Sequence, residues 1–363
     1  MKNTHRRSPI IAALSVTILA ASSLTACSLK ENNGQDNPNL TRLTMADNYA
    51  LKHPVGKGGT QPFLDAMTAS AQETGMTIDY FASGQLGKQA DIPSIVRSGN
   101  ADLAVIAPGY VSSTFPLSGI GDLPGFGSDS CVTAYALRDL VMPGGILYDK
   151  EMAPMKFRPL WTGSIPGYEA MSAGIDPSNP DNLRGKVLRS TGGALDRVID
   201  QMHAAGVAMP IGDLYEALSR GTVEGTLASP ISITPYGLED VITDATDGAE
   251  QGNFTFFYGI NVDTWDSLTM QQQEALTHAG EQAQQSLCET LNGSRAKSIA
   301  AMKKAGVRFH DVGQNRAQWE ALNEPVKQSW INAAESTGLA GHEVMDAWES
   351  ALKKHAHRAT KRG

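Results

Sequence analysis

The sequence predicts an α/β protein of two domains, and three observations predict it. Strand-like and helix-like stretches alternate as β-α-β-α-β from Leu43 to Tyr110, the order that builds a parallel sheet with helices on its faces. The alternation returns over residues 181–230, DNLRGKVLRSTGGALDRVIDQMHAAGVAMPIGDLYEALSRGTVEGTLASP. Roughly 320 residues remain once an N-terminal leader and tether are set aside, more than one hydrophobic core usually serves.

The leader comes first. MKNTHRRSPIIAALSVTILAASSLTAC has a basic start (Lys2, Arg6, Arg7), an apolar stretch from Ile10, and Leu24-Thr25-Ala26-Cys27. This is the pattern of a secretory signal peptide over 1–26, with a small-residue site ending on Cys in the manner of a bacterial lipobox. The apolar stretch falls short of the ~20 residues of a membrane span. A lipid on Cys27 is therefore the expected membrane attachment, and 27–40, polar and rich in Asn, reads as its flexible tether. The expected location is exported: lipid-anchored on the outer face of the cytoplasmic membrane or in the periplasm. Without the leader, 27 basic residues face 38 acidic ones, a net charge of −11. Nucleic acid is excluded as a partner, because phosphate binding needs a basic surface.

LTMADNY is a strand from Leu43, with Asn48 and Tyr49 just after it and a loop through Lys52, His53 and Pro54. A helix over 59–74, a strand over 77–81, an SGQLG turn and a helix over 89–98 follow by periodicity. Gly84, Gly87 and Gly99 read as turn and helix-end residues, and Asp102 as a turn or capping residue. ADLAVIAPGY is a buried parallel strand whose C-terminal loop, Pro108-Gly109-Tyr110, falls on the side where open α/β sheets bind ligands. A helix over 129–140 precedes KFRPLWTGSIPGYEAMSAG, which reads as two strands.

KVLRS is a short strand ending at Arg189, and Ser190-Thr191-Gly192-Gly193 is the turn that opens a helix over 194–205. VAMP is the next strand, and Asp213 caps a helix that closes at Gly221. A strand over 254–262 carries Tyr258 and Asn261, TWDSLTMQQQEAL begins a long helix, and the periodicity stays helical over 271–305 and 316–354. Residues 353–363 read as a solvated basic tail carrying His355 and His357. Cys131 and Cys288 lie far apart on helix-like stretches, so a disulfide and two buried thiols both stay open.

The sequence offers no catalytic constellation: no G-x-S-x-G, no H-E-x-x-H, no Walker A stretch and no Cys pair at zinc-ligand spacing. Neither a metal site nor a cofactor is expected. The chemistry that stands out is Arg189, a guanidinium at a strand end beside a hydroxyl-rich turn and a helix N-terminus, where a carboxylate can be held by bidentate hydrogen bonds. The plainer reading of the same residue is a surface or interdomain salt bridge.

Residues 181–230 resemble the substrate-binding proteins of tripartite ATP-independent periplasmic (TRAP) transporters, of the dicarboxylate-binding type. GKVLR, DLYEALSRG and TVEG occupy, in order, the places of that family's D-L-x-G-x-K-x-R strand and its Y-x-A-L-x-x-G-x-V-[DE]-G segment. SGQLGKQADIPSIVRSGNADLAVIAPGYVSSTFPLSGIGDLPGF is similar to its G-Q-L-G, R-x-G-x-x-D and F-P-L blocks. The resemblance implies a two-lobed periplasmic-binding-protein-like (Venus flytrap) fold with crossing strands and long C-terminal helices, lobe one being 41–163 plus 252–292 and lobe two 164–251 plus 293–352. It implies a solute-binding protein that captures a small organic acid between the lobes and delivers it to a TRAP permease. The alternatives are a receptor that feeds a sensor kinase and a lipid-anchored secreted enzyme.

The resemblance also implies site residues. Arg189 occupies the place of the family's carboxylate-binding arginine; Asn48, Tyr49, Pro108, Gly109 and Tyr110 lie in loops the family turns toward the cleft; Ser229 is near a position where many members carry Asn; Tyr258 and Asn261 lie on the return strand. The chain departs from many members in lacking a second arginine, since the W-x-x-G-x-R context reads here as Trp161 to Tyr168 without one. With one fixed cation, a second ligand carboxylate would be poorly compensated in a dry cleft. Tyr49, Tyr110, Trp161, Tyr168 and Tyr258 are candidates to pack on a flat body. The expected ligand is a monocarboxylate with an aromatic or otherwise apolar body; a dicarboxylate would require Arg97 or Lys52 in the missing arginine's place.

Overall fold

A computed structural model describes residues 40–359. The expected signal peptide, the expected lipidation residue Cys27 and the expected tether up to residue 39 lie outside the described residues. β1 (Thr41–Ala46) leads through a π-helical turn into α1 (Gln61–Thr74), which stops at Gly75 in the left-handed region and returns as β2 (Met76–Phe81). α2 (Ile92–Arg97), β3 (Leu103–Ile106) and α3 (Ser130–Val141) follow, the last capped by Asp129, whose carboxylate accepts from the Cys131 and Val132 N–H groups. β4 (Phe157–Ile165) passes into β5 (Glu169–Ser172), then β6 (Val187–Ser190), α4 (Ala194–Gln201), β7 (Ala205–Ala208), α5 (Leu214–Ser219), β8 (Gly225–Ala228) and β9 (Asp244–Asp247). The chain returns through β10 (Phe254–Asn261), α6 (Val262–Ser267) and α7 (Met270–Ala305), and ends in β11 (Arg308–Asp311), α8 (Arg316–Glu320), α9 (Asn323–Ser336) and α10 (Gly341–His355).

These strands form two sheets, one per lobe. The first has the order β2-β1-β3-β10-β4 and the second β11-β9-β5-β8-β6-β7. β1, β2 and β3 are parallel, and β10 runs antiparallel to both β3 and β4. In the second sheet β6 is parallel to β7 and β8, while β5 is antiparallel to β8 and β9. The chain changes sheet between β4 and β5, between β9 and β10, and a third time between β10 and β11; the first two crossings are tied together: Tyr168 N–H donates to Gly252 O at 3.0 Å and Gln251 N–H to Tyr168 O at 2.8 Å. α7, 36 residues and so roughly 54 Å long, runs from the first lobe, where Gln284 accepts from the Thr162 N–H, to the second, where Arg295 meets the buried Glu169 carboxylate.

Several elements differ from the sequence reading. The long helix does not begin in TWDSL: Leu268 is extended, and Thr269 forms a reciprocal capping box with Gln272, so a separate helix starts there. α4 ends at Gln201, short of 205, because His203 turns to φ 56° and β7 begins at Ala205. β8, β9 and β11 were not anticipated. Residues 353–358, read as tail, are docked: α10 reaches His355, which is buried with its ring nitrogen 3.0 Å from Asp139, and the Arg358 guanidinium lies 3.8 Å over the Tyr135 ring. α10 packs on α3 of the first lobe, whereas α9 is tied to α4 of the second through Arg197 and the Ser329 carbonyl and hydroxyl.

Cys131 of α3 and Cys288 of α7 form a disulfide that closes 157 residues, resolving the alternative the sequence left open. The first two crossings lie inside that loop. Loop-closure entropy for this length is worth up to about 5 kcal/mol, and native disulfides commonly deliver somewhat less. Replacing both cysteines by Ala should lower the unfolding free energy by about 3–5 kcal/mol in guanidinium titrations while leaving the far-UV spectrum unchanged. An unchanged midpoint would show that the link does not constrain the unfolded chain.

Candidate functional site

The site grows from β6. This strand is hydrogen-bonded on both edges, with Arg189 opposite Val207 of β7 and Thr226 of β8, so position 189 is enclosed and the side chain is 0% exposed. Its Nε donates to Met209 O at 2.9 Å and its Nη2 to the Tyr110 hydroxyl at 3.0 Å; Nη1 is buried with no partner. Among the described residues no carboxylate pairs with it. The turn after it holds this geometry: Ser190 Oγ accepts the Gly192 N–H at 3.0 Å and bonds Asp196, while Gly192 and Gly193 take φ of 94° and 57°, where a side chain would be strained. A Cβ on Gly192 would sit 2.7 Å from Gly109 O, so glycine also permits the loop after β3 to come this close.

That approach brings Tyr110 onto Arg189 and completes a cavity of about 350 Å³. Tyr49, His53, Tyr110, Tyr168, Tyr236 and Phe254 supply its aromatic walls, and Ile165, Pro210 and Ile211 add apolar surface. The rings brace one another: Tyr110 meets Phe254 edge-on at 5.1 Å, Tyr49 lies 4.9 Å from His53, and His53 lies 5.8 Å from Tyr236. Burial holds the phenols of Tyr49, Tyr168 and Tyr236 above the ordinary tyrosine value, and it pushes the His53 ring down to about 4. The lining is therefore uncharged at neutral pH apart from its rim, where Lys52, Lys88 and Asp213 are exposed.

The candidates divide into those that line the cavity and those that support it. Asn48, Tyr49, Tyr110 and Tyr168 line it. Arg189 is not itself in the lining; it stands behind Tyr110, joined to the lining by that hydroxyl, and its Nε is held by the Met209 carbonyl. Pro108 and Gly109 line a smaller neighbouring cavity of about 120 Å³ with Ser112, Asp122 and Arg197. Trp161 and Tyr258 do not reach the lining: they stack at 4.4 Å in the first lobe's core, and the Tyr258 hydroxyl is bound to Asp47 and Thr60. Asn261 caps α6 and donates to Val96 O, and Ser229 donates to Pro166 O at 2.7 Å, pinning the first crossing. Asp47 in turn accepts the Tyr49 N–H at 2.8 Å, so the buried network fixes the loop that carries Asn48 and Tyr49. Of the substitute cations, Lys52 is at the rim and Arg97 is absent from the lining. His53, Tyr236, Gln89 and Phe254 were missed as lining residues; the one signal for His53 was its place in the loop after the first strand.

Among the described residues no cluster of three His, Cys, Asp or Glu side chains can hold a metal. What the arrangement can do is bind: a fixed cation with one free donor, beside an aromatic chamber.

The model for the bacterial extracellular solute-binding proteins of family 7 (DctP) matches residues 45–333. The chain is 23% identical over 318 residues to the ectoine-binding periplasmic protein TeaA of Halomonas elongata, covering 86% of this chain and 92% of that one. Among solved structures it is similar to a TRAP solute-binding protein from Rhodoferax ferrireducens in complex with copurified benzoate, with TM-score 0.79, 15% identity, and 88% of this chain and 100% of that one covered. It is equally similar, with TM-score 0.79, 18% identity, and 87% and 99% covered, to a marine-metagenome TRAP solute-binding protein specific for aromatic acid ligands, in complex with 3-hydroxybenzoate.

Asp122 lies where the two lobes meet. Its Oδ1 accepts from the Thr255 N–H and hydroxyl at 2.6 Å each, and its Oδ2 is buried without a partner, as is Thr191 Oγ1 on the other side of Gly109. Burial pushes this carboxyl up to about 7. A folded-state value above the unfolded one means that the native state holds the extra proton, so stability declines as pH rises from about 4 through 7. Asp122→Asn stays neutral. Between pH 4 and pH 8 its unfolding free energy should gain on wild type by on the order of 4 kcal/mol, measured by urea titration at each pH. Parallel curves would contradict this.

Proposed function

The chain belongs to family 7 of the bacterial extracellular solute-binding proteins, the substrate-binding component of TRAP transporters, and from that premise we propose that it holds a small organic acid carboxylate-first on Arg189 and hands it to a membrane permease. The observation that carries this reading is the buried guanidinium without a counter-ion. An arginine stays charged at any physiological pH, and a charge removed from water needs a partner of opposite sign. A ligand carboxylate supplies that partner at Nη1 and leaves the bonds to Tyr110 and Met209 in place.

The rest of the cavity supports a ligand with an aromatic or otherwise apolar body. One fixed cation stands beside six aromatic rings, and the second arginine of many members has no counterpart in the lining. The ligands of the two similar structures, benzoate and 3-hydroxybenzoate, agree with a carboxylate and with a ring as its body. Lys52 and Lys88 at the rim are in no ion pair among the described residues, and two free ammonium groups at a mouth steer an anion inward. Tyr110 comes from the first lobe and Arg189 from the second, so the ligand sits where its charge fixes one lobe on the other; release opens them, and the permease reads the difference in shape. Anchoring by a lipid on Cys27, in the periplasm or on the outer face of the cytoplasmic membrane, rests on the leader pattern and keeps the protein near that partner.

Thermal shift and calorimetry with benzoate test the reading. An acid at a hundred times its dissociation constant stabilises wild type by ~2.7 kcal/mol. Arg189→Ala should weaken binding at least a hundredfold, about 3 kcal/mol, the usual loss when one member of a desolvated ion pair is truncated. Wild-type affinity in that variant, or stabilisation by succinate and malate alone, would overturn the assignment.

A further inference from the structure

The wall that the first lobe contributes carries three buried polar atoms with nothing to bond. His53 Nδ1 accepts the Val55 N–H at 3.1 Å, which places the proton of the neutral ring on Nε2, and that N–H has no partner. Asn48 donates through Nδ2 to Gly87 O at 3.1 Å, leaving its Oδ1 unpaired, and Gln89 Oε1 is unpaired as well. All three residues line the cavity, His53 being only 2% exposed. Burial keeps the His53 ring neutral at physiological pH, so these three atoms offer one donor and two acceptors and no charge.

Each kind of ligand group meets that wall differently. A methyl or a bare ring edge leaves every one of these atoms unsatisfied. A carboxylate accepts from His53 but turns its other lone pairs on the Asn48 and Gln89 carbonyl oxygens, acceptor against acceptor. A hydroxyl accepts from the imidazole N–H and donates to an amide oxygen, and so satisfies both sides at once. We propose that the ligand carries, besides the carboxylate held by Arg189, a hydroxyl group on its body that is read by His53 Nε2–H together with the carbonyl oxygen of Asn48 or Gln89. His53 is then a specificity-determining residue, and the ligand is a hydroxy acid whose two polar ends are held by different lobes. This rests on the reading that Arg189 takes the carboxylate.

The test is calorimetry of the mature chain with benzoate and its 2-, 3- and 4-hydroxy isomers. In wild type at least one isomer should bind about tenfold or more tightly than benzoate. His53→Asn keeps an acceptor for the Val55 N–H and removes the reaching N–H; there the advantage, read as each isomer's affinity relative to benzoate in the same variant, should fall to about one. Gln89→Ala, a change on a partly exposed side chain, should reduce the advantage in part. Benzoate matching or beating all three isomers in wild type overturns the proposal, as does failure of all three to bind or an advantage left intact in His53→Asn. Arg189→Ala separates the two readings: if it keeps wild-type affinity for benzoate the carboxylate assignment itself fails, whereas loss of every acid with no hydroxyl advantage in wild type removes only the present inference.

Discussion

A guanidinium sealed in the second lobe with only neutral acceptors around it is the constraint on which the rest depends. Burying an ion without a partner costs several kcal/mol even after relaxation, and a fold carries such a cost only where other packing overrides it. Here the override is the sheet. β6 lies between β7 and β8, and the Arg189 side chain is 0% exposed. The Met209 carbonyl and the Tyr110 hydroxyl occupy two of the three guanidinium nitrogens and leave Nη1 unpaired.

From that residue the architecture of the two lobes follows. Gly192 lets the loop of one lobe come to the turn of the other at a distance no Cβ permits, and this is what carries Tyr110 to Arg189. Behind the cavity the first lobe is stiff: Trp161 stacks on Tyr258, whose hydroxyl joins Asp47, Thr60 and Tyr80 in a buried network that holds the loop bearing Asn48 and Tyr49. The disulfide and the long α7 brace that lobe on its far side. Rigid walls joined through two short crossings and the long α7 suit a device in which the mobile part is the relation between lobes, not the binding surface.

The first sheet was legible because its strands are apolar runs and its turns are glycine-marked. The second was half legible. GTLA of β8 is too short to show a period, and DATD of β9 and RFHD of β11 read as polar loop. They pair as strands because Asp244, only 1% exposed, is satisfied by Arg308 and His310 across the ladder, a bond that no sequence window contains. The site divides in the same way. The family resemblance suggested Asn48, Tyr49 and Tyr110, and the need for aromatic side chains to pack on a flat body added Tyr168; all four line the cavity. On β10 the face of each aromatic depends on register, and a bulge between Tyr258 and Gly259 shifts it; Tyr258 and its neighbour Trp161 turned into the core. His53 and Tyr236 are 183 residues apart and meet only in the folded chain.

The most direct measurement of the central claim is a crystal structure of the protein with an acid that stabilises it. The account predicts one carboxylate of that acid within ~3 Å of Arg189 Nη1, its body among Tyr49, Tyr110, Tyr168 and Tyr236, and the Arg189 bonds to Tyr110 and Met209 unchanged. A ligand bound with its carboxylate elsewhere, and Nη1 still unpaired, would contradict it.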